Sequence, residues 1–159
     1  MNGVPAVTLR PARSTDAPAM AAMSRQLIEA GLAWRYTPQR IGALMADEET
    51  MALVACDDGG AVQGFAVMQF GDERAHLVLM CVRPEQQRRG IGRRLVDWLL
   101  ASARVAGIAQ VQVELRADNP VAHAFYVALG FADQQLLPGY YDGLVAARRM
   151  QLDLHAHPA

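Results

Sequence analysis

The sequence predicts one mixed α/β domain in which helices flank a central sheet. Apolar residues recur at helical spacing in several parts of the chain and alternate at strand spacing between them. Hydrophobic residues make up 52% of the 159 residues, which is enough to form one sizeable core. Because no repeat or composition change divides the chain, we assign residues 1–154 to a single domain and residues 155–159 to a C-terminal tail.

The N-terminal third predicts one strand and two helices. Asp16 suits the N-cap of the first helix and Gly31 suits its C-terminal end. Thr37-Pro38 is a typical start for a second, shorter helix. The predicted elements are, in order, a strand over 7–12, a helix over 14–31, a linker over 33–38 and a helix that begins at 37–38.

The middle of the chain predicts three strands. The turn sequence "DDGG" lies between two runs rich in strand-forming residues, which is typical of a β-hairpin. The third run, "RAHLVLMCVRP", is apolar on both faces and is therefore expected to be a central strand covered on both sides. The predicted bounds are 51–56, 61–70 and 74–84.

The C-terminal half alternates helix and strand before two final strands. Asp118 or Asn119 caps a helix that has Pro120 in its first turn and Gly130 at its end. The segment "PGYYDG" is predicted to connect the last two strands. The bounds are a helix over 90–107, a strand over 108–117, a helix over 118–130, and strands over 131–137 and 145–154.

Charge and cysteine content exclude several classes of protein. The chain has 15 basic and 16 acidic residues, and this balance argues against a dedicated nucleic-acid binder. All the basic side chains are arginine, so no lysine serves as nucleophile. Cys56 and Cys81 lie in apolar runs and are expected to be buried thiols, and no zinc-ligand spacing occurs, so no metal is expected. Neither a signal peptide nor an 18-residue apolar run is present, which predicts a cytoplasmic protein with no membrane span.

The stretch "RRGIGRR" (88–94) lies between the apolar third strand of the middle group and a predicted helix. Glycines allow close approach to the backbone, and the free amides of a helix N-terminus attract anions. The dinucleotide fingerprint G-x-G-x-x-G fails because Leu95 occupies its last position, and no Gly-Lys-Ser/Thr loop occurs. On these residues alone, a phosphate cradle and a plain glycine turn beside solvated arginines both remain open.

The segment Gln87–Gly92 resembles the Q/R-x-x-G-x-G/A motif of the GCN5-related N-acetyltransferases. The segment "VELRADNPVAHAFYVALGF" (113–131) resembles the second half of the same superfamily. The strand "HLVLMCVRP" resembles the strand that precedes the first motif, and with it the three segments span residues 76–131, in the order that the superfamily requires. The resemblance implies a mostly antiparallel, twisted sheet of six to seven strands, splayed between the fourth and fifth strands and flanked by about four helices.

Further features of the chain are Trp34 in the linker between the first two helices and a C-terminal set of Tyr140, Tyr141, Gly143, Ala147 and Met150. In these features the sequence resembles the ribosomal-protein-alanine N-acetyltransferase group. This resemblance implies direct transfer of an acetyl group from acetyl-CoA to a primary amine in a ternary complex, with a protein or peptide N-terminal amine as acceptor. Small-molecule amines, or a non-catalytic acyl-CoA sensor, remain alternatives, and a homodimer is left open. The group's acidic "G-R-E-D-A" segment is replaced here by Gly143-Leu144-Val145-Ala146-Ala147, which puts the acceptor's identity in question.

The resemblance also implies the catalytic residues. Glu114 is expected to be the general base, acting through water, and Tyr126 the acid that protonates the departing thiolate. The alternative for Glu114 is a plain ion pair with Arg116, and His76 or Glu73 could relay the proton instead. Tyr126 could alternatively be helix packing, although Phe125 is the residue expected to fill the core.

The resemblance assigns the remaining site residues to acetyl-CoA and to the acceptor. For Cys81, buried packing is expected and a covalent acetyl-cysteine is the alternative. The aromatic acceptor residues could alternatively serve surface and hairpin packing. The residues expected to bind acetyl-CoA are Met80, Cys81, Val82, Arg88, Arg89, Gly90, Ile91, Gly92, Arg93, Asn119 and Tyr126, and those expected at the acceptor entrance are Trp34, Tyr36, Tyr140 and Tyr141.

Overall fold

The computed structural model describes residues 6–155, so residues 156–159 of the predicted tail lie outside the described residues. Its helices and strands follow the predicted order. The strands are β1 (Thr8–Pro11), β2 (Thr50–Cys56), β3 (Val62–Phe70), β4 (Arg74–Val82), β5 (Gln110–Arg116), β6 (Ala132–Tyr141) and β7 (Val145–Asp153). The helices are α1 (Ala17–Met23), α2 (Pro38–Ala46), α3 (Ile91–Val105) and α4 (Pro120–Ala128).

All seven strands form one sheet in the order β1-β2-β3-β4-β5-β7-β6. One core layer lies between the sheet and α3, where Leu95 and Leu99 are fully buried. A second core layer lies on the opposite face, where Met20 of α1 and Ile41 of α2 are fully buried. Both layers include residues of β4, which confirms that this strand is central and covered on both sides.

The sheet opens between β4 and β5, as expected. These strands form the parallel pair of the sheet, and they pair only over Arg74–Leu77 and Gln110–Val113. Beyond that point, the register of β5 continues with β7 alone. An irregularity in the pairing of β3 with β4 lies just after Leu77. The result is a cleft whose two walls are the C-terminal halves of two neighbouring strands.

The first helix ends differently from the prediction. The α-helix stops at Met23, and a π-helical segment over Ser24–Ile28 follows, so Gly31 does not end it. The buried carboxylate of Glu29 accepts a hydrogen bond from the Ser24 hydroxyl at 2.8 Å, which draws the chain out of helical register. Asp16 lies at the N-cap, but its carboxylate binds Arg10 rather than the helix amides.

The strand β6 is longer than predicted. Pro138 and Gly139 suggest a turn, yet the strand runs to Tyr141, which pairs with Val145. The irregularity in the pairing between Leu137 and Tyr141 absorbs the proline and glycine, because pairing with a neighbouring strand outweighs local preference. Tyr140 and Tyr141 therefore lie at the end of a strand instead of in a free connection.

Two glycines differ sharply in what a methyl group would meet, and this gives a test of the packing. A Cβ at Gly64 in β3 would lie 3.1 Å from the carbonyl oxygen of Cys81, whereas a Cβ at Gly42 in α2 would meet nothing within 4 Å. We expect Gly64→Ala to lower the free energy of unfolding by about 1–3 kcal/mol through overpacking. Gly42→Ala should raise it by about 0.5–1 kcal/mol through helix propensity. Urea denaturation of both variants measures the difference, and equal effects would contradict this register of β3 on β4.

Candidate active site

Glu114 is the first residue of β5 beyond its pairing with β4, so it lies at the point where the sheet opens. Its neighbours Val113 and Leu115 point into the core beneath α3, so strand alternation places Glu114 on the face covered by α1 and α2. Its side chain is only 8% exposed. This position combines access to the cleft with shielding from bulk water.

The Glu114 carboxylate has a partner on each oxygen. Oε1 lies 2.6 Å from Nε2 of His76 on β4, and Oε2 accepts a hydrogen bond of 3.0 Å from Nε of Arg149 on β7. Burial raises the pKa of Glu114, but the hydrogen bonds and charges of His76 and Arg149 outweigh burial, and the net pKa is lowered. Glu114 is therefore a carboxylate at neutral pH.

The predicted alternative, an ion pair between Glu114 and Arg116, is wrong. Arg116 binds Asp118 at 3.1 Å and donates to the Ala30 carbonyl at 2.6 Å. Residues two apart on a strand share a face but are separated by about 7 Å, whereas a cross-strand partner lies at about 5 Å. Arg149 is the direct cross-strand partner of Glu114, and so takes the place expected for Arg116.

Tyr126 lies on α4, with its side chain buried in the core layer beneath α3. It is 4% exposed and makes edge-to-face ring contacts with Phe125 at 5.1 Å and Phe131 at 5.3 Å. Burial raises its pKa above the ordinary phenol value, and the nearby Cys81 and Tyr141 raise it further. Tyr126 therefore stays protonated at any physiological pH. Tyr126 is more buried than Phe125, the reverse of the sequence expectation.

The glycine loop has the backbone geometry of an anion site. Gly90 is the N-cap of α3 with φ +79°, and no side chain caps the helix amides there. Arg88, two residues earlier, also has a positive φ of 64°. Left-handed residues just before a helix turn successive N–H groups toward one point, which forms an anion-binding concavity. A Cβ at Gly92 would lie 3.3 Å from the Phe125 ring, so this second glycine is needed for packing on α4.

The arginine side chains around this loop are spread over its outer surface. Arg88 and Arg89 are exposed, and Arg89 reaches Gln86 at 3.4 Å. Arg93 pairs with Asp97 one helical turn later at 3.6 Å. Exposed guanidinium groups of this kind add a favourable field for phosphates, while the backbone amides provide the specific contacts.

Between the glycine loop and Glu114 lies the edge of β4 that is not paired with β5. Met80, Cys81 and Val82 pair with β3 on one side, and the pairing with β5 ends before them on the other. A strand edge of this kind can pair with an extended ligand as an added strand would. Burial raises the pKa of the Cys81 thiol to about 12, so it is not a nucleophile at neutral pH. This disfavours the acetyl-cysteine alternative.

Asn119 is the N-cap of α4, one of the two candidates predicted from the sequence for this position. Its Oδ1 accepts a hydrogen bond of 3.0 Å from the Ala122 amide, so Asn119 is the residue that caps α4. Asp118, the other candidate, pairs with Arg116 instead. The Nδ2 group of Asn119 remains a donor for a ligand in the cleft.

Three of the four predicted acceptor residues cluster beside Glu114. Tyr140 and Tyr141 make an edge-to-face contact at 5.0 Å. Burial raises the pKa of Tyr141, and Tyr140 and Glu114 raise it further, which places these groups close together. Burial likewise raises the pKa of Tyr36, and Tyr140 is among its neighbours. Trp34, like Tyr36, packs on the α1–α2 core layer, and the Arg25 guanidinium lies 4.9 Å from the centre of its ring.

Sequence reasoning missed the residues that hold the acceptor side together. Glu29 accepts hydrogen bonds from the amides of Arg35 at 2.7 Å and Tyr36 at 3.3 Å. Asp142, in the turn after β6, accepts from the Ala33 amide at 2.8 Å and pairs with Arg35. The contacts of Asp142 join two loops more than 100 residues apart in sequence, so no local pattern could have indicated them.

Within residues 6–155, no group of three or more His, Cys, Asp or Glu side chains is placed to hold a metal ion. The helices of that same part of the chain are all too short or too polar to cross a membrane.

The splayed sheet with a glycine loop at one end of its cleft matches the fold that the resemblance to the acetyl-CoA-dependent acyltransferases implied. The chain belongs to the Acetyltransferase (GNAT) family, whose sequence model matches residues 20–131.

The ribosomal protein bS18-alanine N-acetyltransferase of Escherichia coli is 35% identical over 82 residues, which are 52% of this chain and 55% of that enzyme. The match thus spans about half the length of this curated relative. The crystal structure of the Escherichia coli ribosomal-protein-S18-alanine N-acetyltransferase gives a TM-score of 0.80 at 28% identity, over 96% of this chain and 97% of the other.

Two further solved structures share the architecture. Ard1 from Thermoplasma volcanium gives a TM-score of 0.81 at 28% identity, over 92% of this chain and 97% of the other. The protein yncA of Salmonella typhimurium, solved with its cofactor acetyl-CoA, gives a TM-score of 0.78 over 97% of each chain. Its identity of 22% supports a shared fold alone.

Proposed function

We propose that this protein is an acetyl-CoA-dependent N-acetyltransferase that acetylates the N-terminal amine of a protein or peptide. The observation that carries the proposal is the cleft between β4 and β5, which has an anion cradle at one end and Glu114 with a tyrosine cluster at the other. Family membership supports the reaction class. The Escherichia coli relative named for alanine N-acetylation, matched both in sequence and as a solved structure, supports the type of acceptor.

The cleft fits acetyl-CoA along its length. Gly90 and the uncapped amides of α3 suit the pyrophosphate, and the unpaired edge of β4 at Met80–Val82 suits the extended pantetheine arm. When bound, acetyl-CoA supplies an acetyl group activated as a thioester. The arginines Arg88, Arg89 and Arg93 strengthen the field at the phosphates, and Nδ2 of Asn119 is the remaining donor at this end.

The reaction requires two proton transfers, and groups of the protein take part in both. The acceptor's ammonium must lose one before its nitrogen can attack, and the proton leaves through water toward the Glu114 cluster. Tyr126 stays protonated and donates its phenolic proton toward the sulfur as the carbon–sulfur bond breaks. Each such transfer contributes about 10²–10⁴-fold to the rate of a typical enzyme. Tyr36, Tyr140 and Tyr141 line the acceptor's approach to Glu114.

A panel of acceptors tests this assignment. Release of free thiol from acetyl-CoA is measured with a peptide that has a free N-terminal alanine and an internal lysine, and with the same peptide formylated at its N-terminus. A polyamine and single amino acids complete the panel, and mass spectrometry locates the acetyl group. We expect activity with the free N-terminus and not with the formylated peptide.

Other outcomes of the panel would contradict the proposal in distinct ways. Activity confined to the polyamine or to amino acids would show a small-molecule enzyme. Activity with the formylated peptide would show a lysine acetyltransferase. Tight acetyl-CoA binding with no acceptor-dependent thiol release across the panel would favour an acyl-CoA sensor.

A further inference from the structure

The proton that leaves the amine needs a group able to hold it, and Glu114 is poorly suited to that task. Both of its oxygens are already occupied, one by His76 and one by Arg149. The pKa of Glu114 is lowered by these partners in spite of burial. A typical α-amine has a pKa of about 7.7–8.0 and a typical carboxylate about 4, so direct transfer to such a carboxylate is strongly uphill.

An imidazole is a closer match, since a typical imidazole titrates near pH 6.5 and an α-amine only slightly higher. Leu77 points into the core beneath α3, so the preceding residue His76 points to the other face of the sheet. That is the face on which Glu114 lies, and the two side chains meet there. The His76 side chain is 41% exposed, which gives its free ring nitrogen access to water. Because Glu114 is ionised, the ring nitrogen that faces Oε1 is the one that carries a hydrogen.

We propose that His76 is the proton acceptor of this site: Nε2–H donates to Glu114 Oε1, and Nδ1 takes the amine's proton through a water molecule. This inference rests on the function proposed above. Glu114 fixes the orientation and tautomer of the ring and stabilises the imidazolium that forms. Arg149 in turn holds Glu114 in place from β7. One N–H bond of the ammonium breaks, one N–H bond forms at Nδ1, and the imidazolium later releases that proton to solvent.

The surroundings of His76 contain few other charges. Its cross-strand neighbours are Gln69 on β3 and Gln112 on β5, both neutral. The segment Ser24–Ile28 that packs on β4 carries Arg25, whose guanidinium lies over Trp34. Beyond Glu114, the charged and titratable neighbours of the pair are Arg149 and Tyr141. The ionised partner that faces the imidazole is therefore Glu114.

The pH dependence of kcat tests the proposal. At saturating acetyl-CoA and peptide, kcat should fall with a one-proton limb as the pH is lowered, because a protonated Nδ1 cannot accept. His76→Gln can still donate to Glu114 but cannot take a proton. We expect its kcat at pH 8 to be about 10²-fold lower, at the lower end of the usual range because water can still accept the proton, and the acidic limb to disappear.

His123→Gln is the matched control. His123 also pairs with a carboxylate, Asp133, at 3.0 Å, but on the outer side of α4. It should keep both the rate and the acidic limb. If His76→Gln keeps a limb and rate equal to those of His123→Gln, His76 is structural and the proposal is wrong. Melting temperatures of both variants show whether either has lost its fold.

A second measurement is independent of turnover. Nitrogen-15 NMR of the histidine rings distinguishes the two neutral tautomers, and we expect His76 to be the Nε2–H form in the unaltered protein. Glu114→Ala should remove this preference. A neutral His76 found as the Nδ1–H form would overturn the proposal, because that nitrogen would have no lone pair to offer. Absence of turnover with every acceptor would instead overturn the proposed function and leave the tautomer to decide this inference.

Discussion

Tyr126→Phe is expected to lower kcat by about 10²–10⁴-fold, while acetyl-CoA affinity stays close to that of the unaltered protein. The reason is that this change removes only the hydroxyl that we propose protonates the departing thiolate. The ring contacts of Tyr126 with Phe125 and Phe131 are edge-to-face contacts that a phenylalanine can repeat. Thiol-release kinetics and a direct binding measurement with acetyl-CoA separate the two quantities.

The stability of this variant is its internal control. Because the aromatic ring and its packing are retained, we expect the melting temperature to change by no more than a few degrees. The raised pKa of Tyr126 adds a second expectation: the phenol keeps its proton well into the alkaline range, so it should give no alkaline limb in kcat below about pH 9.5. Turnover equal to the unaltered protein would show that Tyr126 only packs α4 against the sheet.

The order of strands and helices was predictable because each has a local signal. The Thr37 hydroxyl caps α2 by accepting a hydrogen bond from the Arg40 amide. The Asn119 side chain caps α4 by accepting one from the Ala122 amide. Both are followed by a proline that fits only the first turn of a helix. Such signals depend only on neighbours in sequence, so they can be recognised without knowledge of the fold.

The partners of the site residues were not predictable in the same way. The sequence suggested Arg116 for Glu114, whereas the partners are His76 and Arg149, which lie 38 and 35 residues away. Which of the adjacent Arg148 and Arg149 faces Glu114 depends on the register of β7, because a shift of one residue moves every side chain to the other face. The long-range pairing that fixes this register leaves no trace in a short stretch of sequence.

The opening of the sheet between β4 and β5 was likewise not predictable from local sequence. The composition of β4 predicts a buried central strand, but nothing in it says that pairing with β5 ends after Leu77. That expectation came from the resemblance alone. The structure shows what the opening does to the residues around it. The edge of β4 is left unpaired with β5, and Glu114 lies next to His76.

Gly90→Asp is expected to weaken acetyl-CoA binding by about 30-fold or more. Gly90 has φ +79° and open space around it, so a side chain there has room, and its position at the N-cap places it beside the amides of α3 that would hold the phosphates. A carboxylate about 4 Å from a phosphate costs about 4 kcal/mol at an effective dielectric constant of 20, and solvent at this exposed loop reduces that figure. Isothermal calorimetry with acetyl-CoA and with CoA measures the loss.

Two further variants separate charge from backbone strain. Gly90→Asn has nearly the shape of the aspartate without its charge and tolerates left-handed backbone well, so the ratio of the two Kd values isolates the electrostatic part. Gly107→Asp places the same residue at φ +80° at the opposite end of α3, also with open space around it. It should have little effect on the Kd for acetyl-CoA, because it lies a whole helix length from the loop.

Ionic strength provides the decisive comparison. At 1 M salt the screening length falls to about 3 Å, so the gap between Gly90→Asp and Gly90→Asn should shrink markedly if it arises from repulsion of phosphates. Equal affinities for the two variants at low salt would mean that the phosphates do not approach Gly90. In that case the two glycines of "RRGIGRR" would serve packing and turn geometry alone, as the contact of Gly92 with Phe125 already does in part.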